Sequence, residues 1–260
     1  ERFEKRFAQC IHARFAAATN SGTAALHLAL LALKIKPHDE IILPSFVCTA
    51  VLNAVLYTGA KPIIADINIH DFNLSLEDVK NKISGNTKAI IVPHMFGKPA
   101  AIDNFLEFGI YVIENCAHSL GARFKKKSVG TWGELSVFSF YATKMIATGY
   151  GGMVCSNNKN AMNRIQDLVD VDERDNYVPR FNYTMADIAA ALGMSQLEKL
   201  NSFLYQGREI AEFYNRSLRS EDIVLPDNTD NNHIYFRYVT RIAGNVDKII
   251  QALNKKGIEA

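Results

Sequence analysis

Two kinds of hydrophobic pattern alternate along this chain. One is a short unbroken apolar run; the other is a stretch in which apolar positions recur every three or four residues. The opening residues place Phe3, Phe7 and Ile11 on one stripe between charges, the spacing of an amphipathic helix over 1–12. Residues 14–19 follow as a short strand, broken at Asn20-Ser21-Gly22-Thr23. Residues 24–33 then form a helix apolar all round, hence buried. Further strands are expected at 40–43, 62–65, 87–92, 110–113, 135–140 and 153–155, and helices at 47–57, 75–82, 100–108 and 158–169. Ser75 heads the helix over 75–82, with Glu77 and Asp78 suited to its positive end. Continuous apolar strands separated by helices of this length predict an α/β protein with a mostly parallel central sheet sandwiched by helices.

Beyond a charged loop at 170–179 the pattern changes. Residues 185–218 read as one long or broken helix, 223–226 and 233–242 as strand-like, and 246–256 as an amphipathic helix. The shift near 205–208 predicts a large domain over 1–205 and a partial α+β small domain over 206–260.

Composition narrows the function. The 260 residues are 48% hydrophobic and 22% charged with a formal net charge of +2, ordinary values for a globular protein. No basic stripe with interleaved aromatics points to nucleic acid, and Lys125 to Lys127 read as a solvated hairpin turn. Cys10, Cys48, Cys116 and Cys155 show no CxxC spacing, so neither a zinc site nor a disulfide framework is expected, and a reducing cytoplasm fits. No signal peptide and no membrane-spanning run is expected.

Sites in parallel sheets lie beyond the carboxyl ends of the strands. Asn20, Ser45, His94, Asn115 and Ser139 all fall at or just past such ends and are expected to converge. The stretch VFSFYATKMIATGYGG at 137–152 carries the strongest candidate. Lys144 follows an apolar strand bearing Ser139 and precedes Gly149, Gly151 and Gly152. Desolvation at such a place lowers a lysine's pKa, and the neutral amine is the form that attacks a carbonyl. Taken alone, Lys144 reads as a surface lysine ahead of a catalytic one; the other segments reverse that order. Strand, then N-S-G-T, then helix suits a phosphate at the helix start, although Ser21 or Thr23 capping the helix accounts for the same residues. With both features in one chain, phosphate is favoured.

Six segments then carry a resemblance: NSGTAALHLAL (20–30), EIILPSFVCTAVLNAVLYTGAKPIIADI (40–67), VPHMFGKPA (92–100), VIENCAHSLGARF (112–124), VGTWGELSVFSFYATKMIATGYGGMV (129–154) and FNYTMADIAAALGMSQLEKL (181–200). In this order and spacing the chain resembles the DegT/DnrJ/EryC1/StrS family of sugar aminotransferases. These are pyridoxal-phosphate enzymes of fold type I, the aspartate-aminotransferase-like fold. The resemblance implies that Lys144 bonds the cofactor aldehyde and shuttles a proton, and that Gly22, Thr23 and Ala24, aided by Ser139, hold the cofactor phosphate. It implies that His118 lies against the cofactor ring, and that Asn182 reaches the phosphate across a homodimer interface. The implied reaction moves an amino group, typically from glutamate, onto a keto sugar attached to a nucleotide, in polysaccharide biosynthesis. No metal is implied.

Two positions depart from the family pattern. Asn115 stands where the family has an aspartate paired with the pyridine nitrogen, so a hydrogen bond is available there and a negative charge is not. Cys48 stands where many relatives carry an aromatic against the ring, and it reads as a small hydrophobe. The family pattern also extends past residue 260, into a segment that completes the small domain.

Among the remaining residues, His94 has two readings, at the site mouth or as a structural turn histidine. Asp66 reads as a cap or backbone contact, and Trp132 and Tyr141 as core ahead of a place at the border of the substrate opening. Glu173, Arg174 and Asp175 read as a solvated loop. Two rival readings stand beside the aminotransferase. One is a pyridoxal-phosphate protein of weak or no transaminase activity, regulatory or scaffolding in role, which Asn115 favours. The other is a nucleotide-binding α/β domain holding a different phosphate at residues 21–23, which leaves Lys144 unexplained.

Overall fold

A computed structural model describes residues 1–172, 175–218, 220–228 and 230–259. Glu173 and Arg174 lie outside the described residues, while Asp175 is exposed.

The chain begins with α1 (Arg2–Ile11), which buries Phe3, Phe7, Ala8 and Ile11. Next come β1 (Phe15–Thr19) and α2 (Gly22–Ala32), whose Ser21 cap accepts a hydrogen bond from the Ala24 N–H. The alternation continues through β2 (Glu40–Pro44), α3 (Thr49–Tyr57), β3 (Lys61–Ala65) and α4 (Leu76–Lys82), the last capped by Ser75. After β4 (Thr87–Pro93) a short 3-10 turn (Met95–Gly97) leads to α5 (Ile102–Leu106) and β5 (Tyr111–Asn115). A small hairpin, β6 (Arg123–Phe124) with β7 (Lys127–Ser128), precedes β8 (Leu135–Ser139), β9 (Gly152–Ser156) and α6 (Lys159–Val169). Lys125 and Lys126 form the turn of that hairpin, both at positive φ. The rest comprises α7 (Asp187–Glu198), α8 (Leu200–Ser217), β10 (Ile223–Val224), β11 (Arg241–Ile242) and α9 (Val246–Lys255).

Seven strands form one sheet in the order β1-β9-β8-β5-β4-β2-β3. Neighbours from β3 through β8 pair parallel, whereas β9 runs antiparallel to both β8 and β1. Inward positions alternate along each strand. Ile41, Leu43, Ile91, Ile113, Val137 and Val154 pack under α2, α3 and α6, while Phe138, Met153 and Cys155 meet Phe3, Phe7, Phe140 and Leu204 on the other face. Helices therefore cover both faces, as continuous apolar strands require.

The register decides where chemistry can occur. Gly152, at the start of β9, pairs with Thr19 at the end of β1 and with Ser139 at the end of β8. The start of α2, the glycine-rich turn and Ser139 thus meet at one edge. Glycine is required at two of these points by close approach. A Cβ on Gly22 would stand 2.9 Å from the Cβ of Ser139, and one on Gly152 would stand 2.4 Å from the Ser21 carbonyl oxygen.

The sequence reading needs correction in the last quarter of the chain. Only Arg241–Ile242 of 233–242 is strand, pairing with the two-residue Ile223–Val224. Residues 233–237 instead dock on the 3-10 turn, with the Ile234 and Arg237 N–H groups donating to the Gly97 and Phe96 carbonyls at 3.0 and 3.3 Å. Tyr235 takes a positive φ in this docked segment, which no regular strand accommodates. The long helix is broken at Lys199, between α7 and α8.

Candidate active site

A cleft of about 480 Å³ opens beyond the carboxyl ends of β4, β5 and β8. Seven expected site residues line it: Gly22, Thr23, Cys48, Asn115, His118, Ser139 and Lys144. Residues separated by more than a hundred positions are brought together by the register described above. Among the described residues, no Asp or Glu contributes to the lining.

Lys144 sits in the loop joining β8 to β9. That loop is fastened by the Lys144 N–H to the Tyr141 carbonyl (2.8 Å) and the Thr148 N–H to the Phe140 carbonyl (2.9 Å). The Lys144 amine is half-buried, 5.3 Å from the centre of the Phe236 ring. Its pKa is lowered, first by burial and also by the Arg237 guanidinium, with Cys48 acting in the opposite sense. His118 stacks between Phe236 and Phe96, ring centres 4.5 and 6.0 Å away. Burial, then Lys144 and Arg237, push its pKa down to about 4, so it is neutral at physiological pH.

At the start of α2, the Ser21 cap consumes the Ala24 N–H (3.1 Å). The N–H groups of Gly22 and Thr23 precede any intrahelical acceptor. Both residues face the cleft beside Ser139. Ala24 itself is buried and does not line it. Asn115, at the end of β5, uses its Oδ1 to accept from the Ala117 N–H at 3.2 Å, which leaves its amide NH₂ as the group available to the cleft.

Other expected residues lie elsewhere. Asn182 is exposed and outside the cleft, its carbonyl accepting from Asn20 Nδ2 at 3.1 Å. Asn20 and Ser45 do not line the cleft either. Asp66 contacts backbone, accepting from the Ile67 N–H at 2.8 Å. Trp132 packs edge-on to Phe124, whereas Tyr141 is exposed at the cleft and pairs with Tyr150, so the expectation of core packing fails for Tyr141.

His94 borders the cleft yet is fully buried and committed to structure. Its Nδ1 accepts from the Ala100 N–H (3.0 Å), so its Nε2 carries the proton and donates to Glu114 at 3.1 Å. Glu114 also accepts from the Gly130, Trp132 and Gly133 N–H groups at 2.7, 2.7 and 2.9 Å. Burial alone would raise the Glu114 pKa; the hydrogen bond from His94, then the backbone donors, hold it below the usual value. His94, Glu114 and Cys116 are close enough to hold a metal ion, but the histidine nitrogens and the carboxylate are already used in this network.

Sequence reasoning missed Phe96, Tyr150, Phe236 and Arg237. Gly97 carried the available signal: its absent Cβ would lie 2.7 Å from Ile234 Cγ1 and 2.9 Å from the Phe236 N. The glycine marks a close approach without naming the partner.

A three-layer α/β fold with a desolvated lysine, a helix start and a serine around one cleft defines a pyridoxal-phosphate-type transferase architecture. The sequence model of the DegT/DnrJ/EryC1/StrS aminotransferase family matches residues 1–260, and the chain belongs to that family. It is 38% identical to the GDP-perosamine synthase of Escherichia coli O157:H7, over 100% of this chain and 74% of that protein. Among solved structures, it superposes on the PLP-form of the putative sugar aminotransferase Spr1654 from Streptococcus pneumoniae with a TM-score of 0.93 at 26% identity, over 99% of this chain and 75% of that one. It superposes equally on S. venezuelae DesV, TM-score 0.93 at 29% identity, over 99% and 72% of the two chains.

Proposed function

We propose that this protein is a pyridoxal-phosphate aminotransferase that moves an amino group from glutamate onto a nucleotide-linked keto sugar. The observation that carries this reading is that Lys144 shares one cleft with the start of α2 and Ser139. The residues fit the cofactor. Gly22 and Thr23 offer N–H groups at the positive end of a helix, and the absent Cβ of Gly22 leaves Ser139 beside them. The similarity to GDP-perosamine synthase supports a GDP-linked sugar as the first substrate to test.

Bound pyridoxal phosphate supplies an aldehyde that takes up the donor's amino group and a ring that accepts electrons from the donor's Cα. The protein supplies the rest. Lys144, half-buried and beside Arg237, is biased toward the neutral amine that bonds an aldehyde. With cofactor and donor bound, the same Nζ would be the base that takes up and returns the proton of the donor's Cα. Neutral His118 packs on one side without adding charge, and Cys48 borders the cleft near Lys144. Gly22, Thr23 and Ser139 orient the phosphate.

Absorbance of the purified protein tests this directly. A near-visible band that borohydride fixes, and that Lys144→Ala removes, is expected; its absence after addition of pyridoxal phosphate overturns the cofactor reading. Glutamate should then discharge the band. A stable band would favour the second reading, a cofactor-binding protein of weak transaminase activity. Asn115 supports that reading, because an amide NH₂ facing the ring nitrogen suits the unprotonated, weaker electron sink.

We extend the reading to a homodimer in which Asn182, exposed and outside its own cleft, serves the partner's phosphate. Asn182→Ala should weaken cofactor retention without touching any residue of its own cleft. The division at 205/206 into a large domain and a partial small one is retained as part of this proposal, with α8 running through the boundary. Limited proteolysis that spares residues 1–205 would support it. No helix among the described residues is long and apolar enough to cross a membrane.

A further inference from the structure

Arg237 does not itself line the cleft but follows Phe236, whose ring lies against His118 and Lys144, in a segment that makes no regular structure. Two backbone bonds hold that segment on the 3-10 turn, one of them from its own N–H to the Phe96 carbonyl at 3.3 Å. The docking needs Gly97, whose missing side chain lets Ile234 and Phe236 approach. The guanidinium carbon lies 5.5 Å from the centre of the Phe236 ring, and the Lys144 Nζ lies 5.3 Å from the same centre. The two cations are therefore no further apart than those two distances laid end to end. The same ring stacks on His118 at 4.5 Å.

Charge around the cleft is one-sided. Among the described residues no carboxylate lines it, Asn115 is neutral, and the Arg237 side chain makes no ion pair or hydrogen bond. Burial first, with the Arg237 charge acting in the same direction, lowers the pKa values of Lys144 and His118. Such an arrangement is relieved when an anion arrives. With Lys144 occupied by an aldehyde, Arg237 would remain as a second cation on the same Phe236 ring.

We infer that Arg237 is the substrate-binding cation of this site, pairing with a carboxylate of the amino-acid donor when its nitrogen is placed beside Lys144. This rests on the proposed function. Both substrates of that reaction are anionic, and position decides between them. A donor amino acid carries its α-carboxylate one carbon from the nitrogen, within the span separating Lys144 from Arg237. The diphosphate of a nucleotide sugar is separated from the reacting keto carbon by the sugar ring. The planar guanidinium matches a carboxylate through paired hydrogen bonds.

The test uses the cofactor-loaded protein and two variants, Arg237→Gln and Arg237→Lys. All three should carry the near-visible band, since the Lys144 bond does not need Arg237. Titration with glutamate, read as discharge of the band in a single turnover, should give a half-saturating concentration roughly 10- to 100-fold higher in Arg237→Gln, with partial recovery in Arg237→Lys. Glutarate, which cannot react, should raise the melting temperature of the wild type and fail to do so in Arg237→Gln. Affinity for GDP should stay unchanged. An unchanged glutamate response with the band intact overturns this inference and leaves the cofactor reading standing. A loss confined to GDP or the nucleotide sugar assigns Arg237 to the diphosphate and likewise overturns it. Absence of the band in the wild type overturns both.

Discussion

Gly22 and Ser139 approach so closely that a methyl group on the first would lie 2.9 Å from the Cβ of the second and 3.1 Å from its Oγ. Separations under 3.0 Å force a shift, and here the neighbours are a strand end and a helix start with little freedom. Gly22→Ala should displace the start of α2 from Ser139 and weaken pyridoxal-phosphate binding by roughly 10- to 100-fold, the scale of overpacking a tight site. Equilibrium titration by absorbance checks this. The double variant Gly22→Ala/Ser139→Gly should bind no more weakly than Ser139→Gly alone; an additive loss would mean that the contact is not the cause.

Asn115 is held by the Ala117 N–H through its Oδ1, and an aspartate would keep that bond while adding a charge. Asn115→Asp should leave the fold unchanged and speed the discharge of the near-visible band by glutamate by about one to two orders of magnitude, since a pKa unit is worth about 1.4 kcal/mol. Stopped-flow absorbance measures it. A rate within twofold of the parent would sink the account of the ring nitrogen.

Glu114 and His94 are both fully buried, and each completes the other's hydrogen bonding. Glu114→Leu leaves the His94 N–H and three backbone donors without an acceptor, and a loss of about 3–5 kcal/mol of stability is expected from breaking such a pair. Urea denaturation would register it. The carboxyl pKa is lowered on folding, so its stabilising contribution is present above the unfolded value and is lost as pH falls below about 4.3.

His118 and His233 set a second, higher pH window. Burial chiefly pushes both down to about 4, against an unfolded value near 6.5. The unfolded chain binds these protons first, so stability is complete above pH 6.5 and declines progressively toward pH 4. The melting temperature should follow that course. His233→Asn, whose amide oxygen can still accept from the Tyr235 N–H, should flatten part of the slope.

Cys48 is exposed and lines the cleft, whereas Cys116 and Cys155 are buried with their thiols pushed well upward by burial. Iodoacetamide should label Cys48 and the exposed Cys10, and loading with pyridoxal phosphate should protect Cys48 alone. Peptide mass spectrometry distinguishes the two. Equal labelling of Cys48 with and without cofactor would place the ring elsewhere.

Much of the site was legible because its parts are local. An apolar helix behind Ser21-Gly22-Thr23 and a lysine behind an apolar strand each announce themselves within a few residues. The parallel rule then predicts that strand ends meet. What escaped depends on long-range docking. Residues 233–242 alternate much as a strand does, yet their backbone bonds go to the Phe96 and Gly97 carbonyls, and nothing near Tyr235 signals its positive φ. Arg237 was invisible as a site residue for the same reason. His94 showed a different ambiguity: its position beside the cleft was readable, but its commitment to Glu114 required knowing that β4 and β5 are neighbours.

Successive residues on β5 face opposite ways, and this gives Asn115 an unusual freedom. Glu114 is bolted from below by His94 and three amides, so the strand end keeps its place whatever side chain follows. Position 115 is then a socket on a fixed mount. On the proposed function, exchanging the plug there would alter how strongly the ring draws electrons while Glu114 keeps the strand end fixed.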